Sequence, residues 1–187
     1  GSAGEVNGLE AFVFAEASPL DLTRHYHEVT GRPARPAEWA YGPWIWRDES
    51  RDQAEVEADI RRIRDLDLPT SAIWIDRPYA SAVNSFDFAP ERYDDPEGMI
   101  RAARRAGLRV ALWHTPYLEE KTGALRERAL REGWFPPQVG FRANPWSEIL
   151  DFTNPAARAW WQEQLGSYTD LGIEGFKLDF AEDVLPA

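Results

Sequence analysis

The sequence predicts an α/β fold in which parallel strands alternate with helices. Three observations carry that expectation. Short apolar runs recur at residues 41–46, 71–76, 108–113 and 175–179. Strands buried on both faces read as such near-continuous runs, because helices cover the sheet. Between them lie segments with apolar residues at helical spacing, as in Val56, Ile60, Ile63 and Leu66. Capping residues open these segments, and glycines close most of them.

The elements follow in order. Residues 9–16, Leu-Glu-Ala-Phe-Val-Phe-Ala-Glu, mix aromatic and β-branched side chains and read as a short strand. Ser18-Pro19 opens a helix with Ser as cap, Pro in the first turn and Leu22, Tyr26 and Val29 as its apolar face; Gly31 ends it. Arg32-Pro33-Ala34-Arg35-Pro36 cannot be helical, since proline lacks the amide donor and restricts the residue before it. This connector divides residues 1–34 from a main domain at 35–187. In the main domain, strand 41–46 is followed by the capping-box pattern Ser50-Arg51-Asp52-Gln53 and a helix. Asp95-Pro96 caps the helix after strand 71–76, and Gly107 closes it. After strand 108–113 a helix is predicted over about 119–132, ending at Gly133. An irregular stretch at 134–146, rich in Pro, Trp and Phe, comes next. Asn154-Pro155 caps a long helix with Ala156, Trp160, Tyr168 and Leu171 inward, and Gly172 stops it.

Composition narrows the function classes. Twenty-one Lys and Arg against 32 Asp and Glu leave a net charge of −11. That disfavours a nucleic-acid partner, whose phosphates need a cationic stripe, and an anionic membrane surface. No run of ~18 apolar residues marks a membrane-spanning helix. No basic and apolar leader opens the chain, which favours the cytoplasm but leaves the compartment open. Cysteine is absent, which excludes disulfides, thiolate nucleophiles and Cys-ligated zinc. His25, His27 and His114 show no ligand spacing, so no metal is expected. Nine Trp and 43% hydrophobic residues support a real core. Tryptophan at this density serves either core filling or sugar stacking.

Two parallel architectures fit, a doubly wound sheet and a (β/α)8 barrel. No Gly-x-Gly-x-x-Gly or phosphate-binding Gly-rich loop follows any strand. Strands two to four end instead in Asp76, Trp113 and Asp179, where a barrel carries its chemistry. The sequence thus reads as a partial barrel, strands one to four, preceded by a short strand and helix.

Asp179 ends an apolar strand, which is costly for a carboxylate unless it is solvated, paired or hydrogen-bonded. Lys177, two residues earlier, points the same way and favours the ionised form. Such an Asp is a nucleophile, an electrostatic stabiliser, a salt-bridging residue or a helix cap. Asp76 has two readings, an ion pair with Arg77 or a hydrogen bond to substrate hydroxyls. Trp113 is either a sugar platform or plain barrel packing.

Several segments together resemble glycoside hydrolase family 31, the α-glucosidase and α-xylosidase family. Lys177-Leu178-Asp179-Phe180-Ala181-Glu182 is similar to its nucleophile motif Lys-Thr-Asp-Phe-Gly-Glu. Asp151-Phe152-Thr153-Asn154-Pro155, Asp95-Pro96-Glu97-Gly98-Met99-Ile100 and Leu112-Trp113 with Pro116-Tyr117 match the family's pattern in order and spacing. The resemblance implies Asp179 as catalytic nucleophile, with Glu182, which closes the motif, beside it. It implies Asp76, Trp113, Lys177 and Trp44 as substrate-binding residues, an α-linked glycoside as substrate, and no cofactor. Residues 1–34 would be the tail of an N-terminal β-sandwich and its connector. Ala181 stands where the motif has Gly, a departure that matters if the backbone there needs positive φ. The family's acid/base Asp lies further along than residue 187, so the expected activity is that of a fragment, inactive alone. The rival reading is a non-catalytic carbohydrate-binding half-barrel that forms a homo-oligomer through its open sheet edges.

Overall fold

A computed structural model describes residues 11–136 and 148–181, in two units, Gly1–Ala37 and Glu38–Ala187. In the first, α1 spans Pro19–Thr30. Ser18 stands at its N-cap with extended backbone, but its side chain makes no capping bond. Leu22, Tyr26 and Val29, expected to face inward, are each 40–49% exposed. Residues 11–16 form no strand, contrary to the sequence expectation. A strand exists only through ladder bonds to a neighbour, and among the described residues none pairs with these.

The second unit runs β1 (Trp44–Arg47), α2 (Gln53–Asp65), β2 (Ala72–Ile75), α3 (Pro96–Arg105) and β3 (Arg109–His114). Then come β4 (Tyr117–Leu118), α4 (Ala124–Arg131), β5 (Glu148–Ile149), α5 (Pro155–Leu171) and β6 (Gly175–Leu178). β1, β2, β3 and β6 form one parallel sheet in that order. Order along the sheet follows order along the chain. A doubly wound sheet would reverse at a switch point, whereas right-handed crossovers in sequential order build a barrel wall. β4 and β5 form a separate antiparallel pair that the sequence reading did not contain.

The outward face of the sheet is packed. Ile73, Ile75, Val110 and Leu112 meet Val56, Ile60 and Ile63 of α2 and Met99, Ile100 and Ala103 of α3 in one core. A second core joins Leu118, Ala129, Trp134 and Leu150 to Ala157, Trp160 and Trp161 of α5. Because α5 serves both cores, its inward stripe is wider than predicted and is set on Ala157 and Trp161, while Ala156 is exposed.

Cap chemistry explains two further differences. The cap of α2 is Asp52, whose carboxylate accepts the Glu55 amide, and not Ser50, which is buried. Glu55 in turn accepts the Arg51 amide, so the helix starts two residues later than expected and its N3 side chain closes on the residue before the cap. The helix expected over 119–132 is broken. Glu120–Thr122 form a 3-10 turn, and Gly123 at φ 56° allows the chain to restart as α4. Of the irregular stretch 134–146, residues 137–146 lie outside the described residues.

The inward face is lined by indoles. Register aligns Trp44 and Trp46 with Ala72 and Trp74, and aligns Ala111 and Trp113 with Gly175 and Lys177. Gly175 makes room for them: a Cβ there would lie 3.2 Å from the Ala111 Cβ and 3.3 Å from the Trp44 ring. Gly175→Val is therefore expected to destabilise by about 1–2 kcal/mol through overpacking. Urea midpoints check this; an unchanged midpoint would show that the indoles move aside freely.

Candidate active site

The inward row of β2, β3 and β6 ends in polar groups: register sets Asp76, Trp113 and Lys177 side by side, and Asp179 two residues further on. Asp76 follows β2 and Asp179 follows β6, with Trp113 on the strand between them. The Asp179 amide donates to the His114 carbonyl at 2.9 Å, so Asp179 still sits in register with β3.

Four donors converge on Asp76, which is 5% exposed. Oδ2 accepts the indole N–H of Trp46 at 2.8 Å and of Trp74 at 3.2 Å, and lies 3.4 Å from Lys177 Nζ. Oδ1 accepts the Arg77 amide at 2.9 Å. The cation on Asp76 is thus Lys177, reached across β3; the neighbouring Arg77 guanidinium lies 5.9 Å over the Trp113 ring. A buried carboxylate satisfied this fully is a fixed acceptor.

Asp179 is more open. Its Oδ2 accepts the Trp113 indole N–H at 2.9 Å and lies 3.1 Å from Lys177 Nζ, while Oδ1 accepts the Phe180 amide at 3.1 Å. Partial desolvation works against its charge, but Trp113, Lys177 and the Phe180 amide outweigh it and hold the pKa below the ordinary Asp value. For Lys177, desolvation likewise opposes the charge, and Asp179 and Asp76 outweigh it to raise the pKa. The arrangement presents an ionised, half-exposed carboxylate beside a buried one, with one ammonium shared between them. A cavity of about 180 Å³ adjoins Trp113 and Arg77, walled by the loop after β2.

Residues 33–186 match the model of the glycosyl hydrolases family 31 TIM-barrel domain. The chain belongs to this family. An α-xylosidase of Emericella nidulans is 30% identical over 186 residues, which is 94% of this chain and 24% of that protein. A GH31 α-xylosidase from a soil metagenome, solved with xylose, superposes with a TM-score of 0.76 at 25% identity, covering 88% of this chain and 25% of that one. The family 31 dextranase of Flavobacterium johnsoniae, solved with glucose, shares the fold at TM-score 0.78 and 21% identity, over 87% of this chain and 22% of its own. The chain spans about a quarter of the length of the curated relatives it matches.

Of the residues singled out from the sequence, Asp76, Trp113, Lys177 and Asp179 meet in this family 31 barrel wall. Trp44 lies deeper, stacked on Trp39 at 5.2 Å and tilted against Trp74 at 6.5 Å. Glu182 lies outside the described residues. Position 181 has φ 91°, so Ala stands in the left-handed region where the family motif carries Gly. Sequence reasoning missed Trp46 and Trp74 as donors to Asp76. Their signal was present: Trp44, Trp46, Trp74 and Asp76 follow a period of two on strands one and two. It also missed Tyr117, whose hydroxyl accepts the Ala181 amide at 3.1 Å.

Proposed function

We propose that these residues are the nucleophile-bearing part of a retaining α-glycoside hydrolase of α-xylosidase or α-glucosidase type. The observation that carries this reading is the Asp76–Lys177–Asp179 array with an indole N–H on each carboxylate. Asp179 is the group that attacks the anomeric carbon, because it is ionised and half-exposed. The bond from that carbon to the leaving oxygen breaks as a second carboxyl group protonates the oxygen; water then releases the sugar from Asp179. Retention requires the two carboxyl groups ~5–5.5 Å apart. Asp76 is an unsuitable partner, since four donors already fill it. It serves instead to hold Lys177 and the indoles of Trp46 and Trp74 in place, so that Trp113 and Lys177 face the sugar. The acid belongs to a segment beyond residue 187, as the relatives' greater length and the family pattern support. Xylose in a neighbouring structure and the relatives' names favour a small neutral glycone.

The test is covalent capture. In a protein carrying these residues and the rest of the barrel, a fluorinated α-glycosyl fluoride should add one glycosyl mass to the peptide bearing Asp179, and Asp179→Asn should prevent it. A label on another residue would overturn the assignment. The 187-residue chain alone should release no aglycone from aryl α-glycosides. Turnover abolished by Asp179→Asn would end the claim that it is inactive alone.

A further inference from the structure

Asp179 is followed by two residues in an unusual conformation. Phe180 has φ 63° and Ala181 has φ 91°, and neither is glycine. Left-handed backbone is costly for residues with a Cβ and persists only where surrounding contacts impose it. The segment between the Asp179 amide, bonded to the His114 carbonyl, and the Ala181 amide carries the Phe180 amide, which donates to Asp179 Oδ1 at 3.1 Å beside Trp113 and Lys177.

The contact that holds the turn comes from another element. Tyr117 is 1% exposed on β4, and its hydroxyl accepts the Ala181 amide at 3.1 Å. The base of Tyr117 is itself anchored. Asn84, buried in the loop after β2, donates through Nδ2 to the Tyr117 carbonyl at 2.5 Å and to the Thr115 carbonyl at 2.7 Å. A chain of hydrogen bonds therefore runs from that loop through Tyr117 to the turn after β6.

We propose that Tyr117 is a positioning residue for the nucleophile: its buried hydroxyl holds the left-handed Phe180–Ala181 turn and so aims the Asp179 carboxylate. The proposal rests on reading Asp179 as the nucleophile, but its geometry is measurable without turnover. Tyr117 never touches the reacting atoms. It fixes the backbone whose amide, with Trp113 and Lys177, sets the direction and charge of Asp179. Ala181 makes the arrangement more dependent on that hydroxyl, because glycine would adopt the same φ without strain.

The experiment uses the 187-residue chain and Tyr117→Phe, which keeps the ring and its burial. Carboxyl carbon resonances report the titration of Asp179, and the indole proton of Trp113 reports its bond to Oδ2. In Tyr117→Phe the Asp179 pKa should rise by about half a unit or more, and the Trp113 indole proton should move toward the value of an unbonded indole. Adding Ala181→Gly should restore both, because the turn then needs no clamp. Unchanged resonances in Tyr117→Phe, or failure of the glycine to rescue, would overturn the proposal. If Tyr117→Phe does not fold, exchange of the Ala181 amide in the unaltered chain decides. It should be slowed at least a hundredfold, and exchange at the free-peptide rate would sink the idea. Covalent capture at a residue other than Asp179, with the resonances behaving as expected, would remove the catalytic reading and leave the clamp standing.

Discussion

Between pH 6.5 and about 4 the chain is expected to lose roughly 3 kcal/mol of stability through His114 alone. The imidazole is fully buried on the outward face of β3, ringed by Tyr79, Phe86, Trp161, Tyr168 and Phe176. Asn84 spends Nδ2 on carbonyls, so its Oδ1, 2.9 Å away, accepts a hydrogen bond from His114 Nδ1–H. Nε2 then faces the Tyr79 hydroxyl at 3.2 Å as an acceptor. Both nitrogens have a partner in the neutral form, Nε2 sharing the Tyr79 hydroxyl with the Trp113 carbonyl, and burial pushes the pKa down to about 4. The denatured histidine takes its proton near pH 6.5 and the native one resists to about 4. In that window the denatured state binds more protons, so stability falls as pH falls. Above 6.5 the contribution is whole; below 4 it is gone. Asp87, Glu55 and Asp179, with lowered pKa values, push in the same direction at lower pH. Comparison with His114→Gln isolates the histidine. Urea midpoints at pH 7 and 4.5 should separate strongly in the unaltered chain and much less in the variant. Equal losses in both would place the acid sensitivity elsewhere.

Much of the barrel wall was legible because its signals are local. Asp95 and Asn154 cap α3 and α5 as read, and the alternation around Trp74 and Lys177 fixed which side chains share the inward face. What failed depends on partners distant in sequence or on a single dihedral angle. Residues 11–16 have strand composition without a ladder neighbour. Gly123 breaks a helix whose other residues, Thr122 apart, are good helix formers. The two-residue ladder between β4 and β5 is too short to leave a periodic trace, yet it fixes Tyr117. The bond from Lys177 to Asp76 spans 101 positions, so the nearer Arg77 was the natural partner to weigh from the sequence. Asp179 was found through its strand and its motif. Its electrostatic setting came from Trp113, 66 positions earlier.

Lys177→Met should cost about 2–3 kcal/mol at pH 7, the other large effect. Methionine keeps an unbranched apolar stem, one atom shorter, and removes the ammonium with its charge and hydrogen bonds. Asp76 and Asp179 then face one another without the ammonium that lies 3.4 and 3.1 Å from them. Breaking a buried ion pair costs about 3–5 kcal/mol. Lys177 is 36% exposed and Asp179 35%, so water replaces part of the lost attraction and the lower range applies. Asp76, buried, gains little from that water and supplies most of the cost. The sign with pH is opposite to that of His114. Without the lysine, Asp179 loses the cation that helps hold its pKa down and faces a second carboxylate unscreened, so the cost of the substitution shrinks as acid protonates it. Urea midpoints of Lys177→Met relative to the unaltered chain should therefore converge as the pH is lowered. Asp179→Asn in the Lys177→Met background should recover part of the loss at pH 7, because it leaves Asp76 with its indole donors and no opposing charge. Absence of that recovery would show that the lysine stabilises the wall by packing against Trp46 and Trp74, 5.8 and 5.7 Å from its ammonium, and not by holding two carboxylates together.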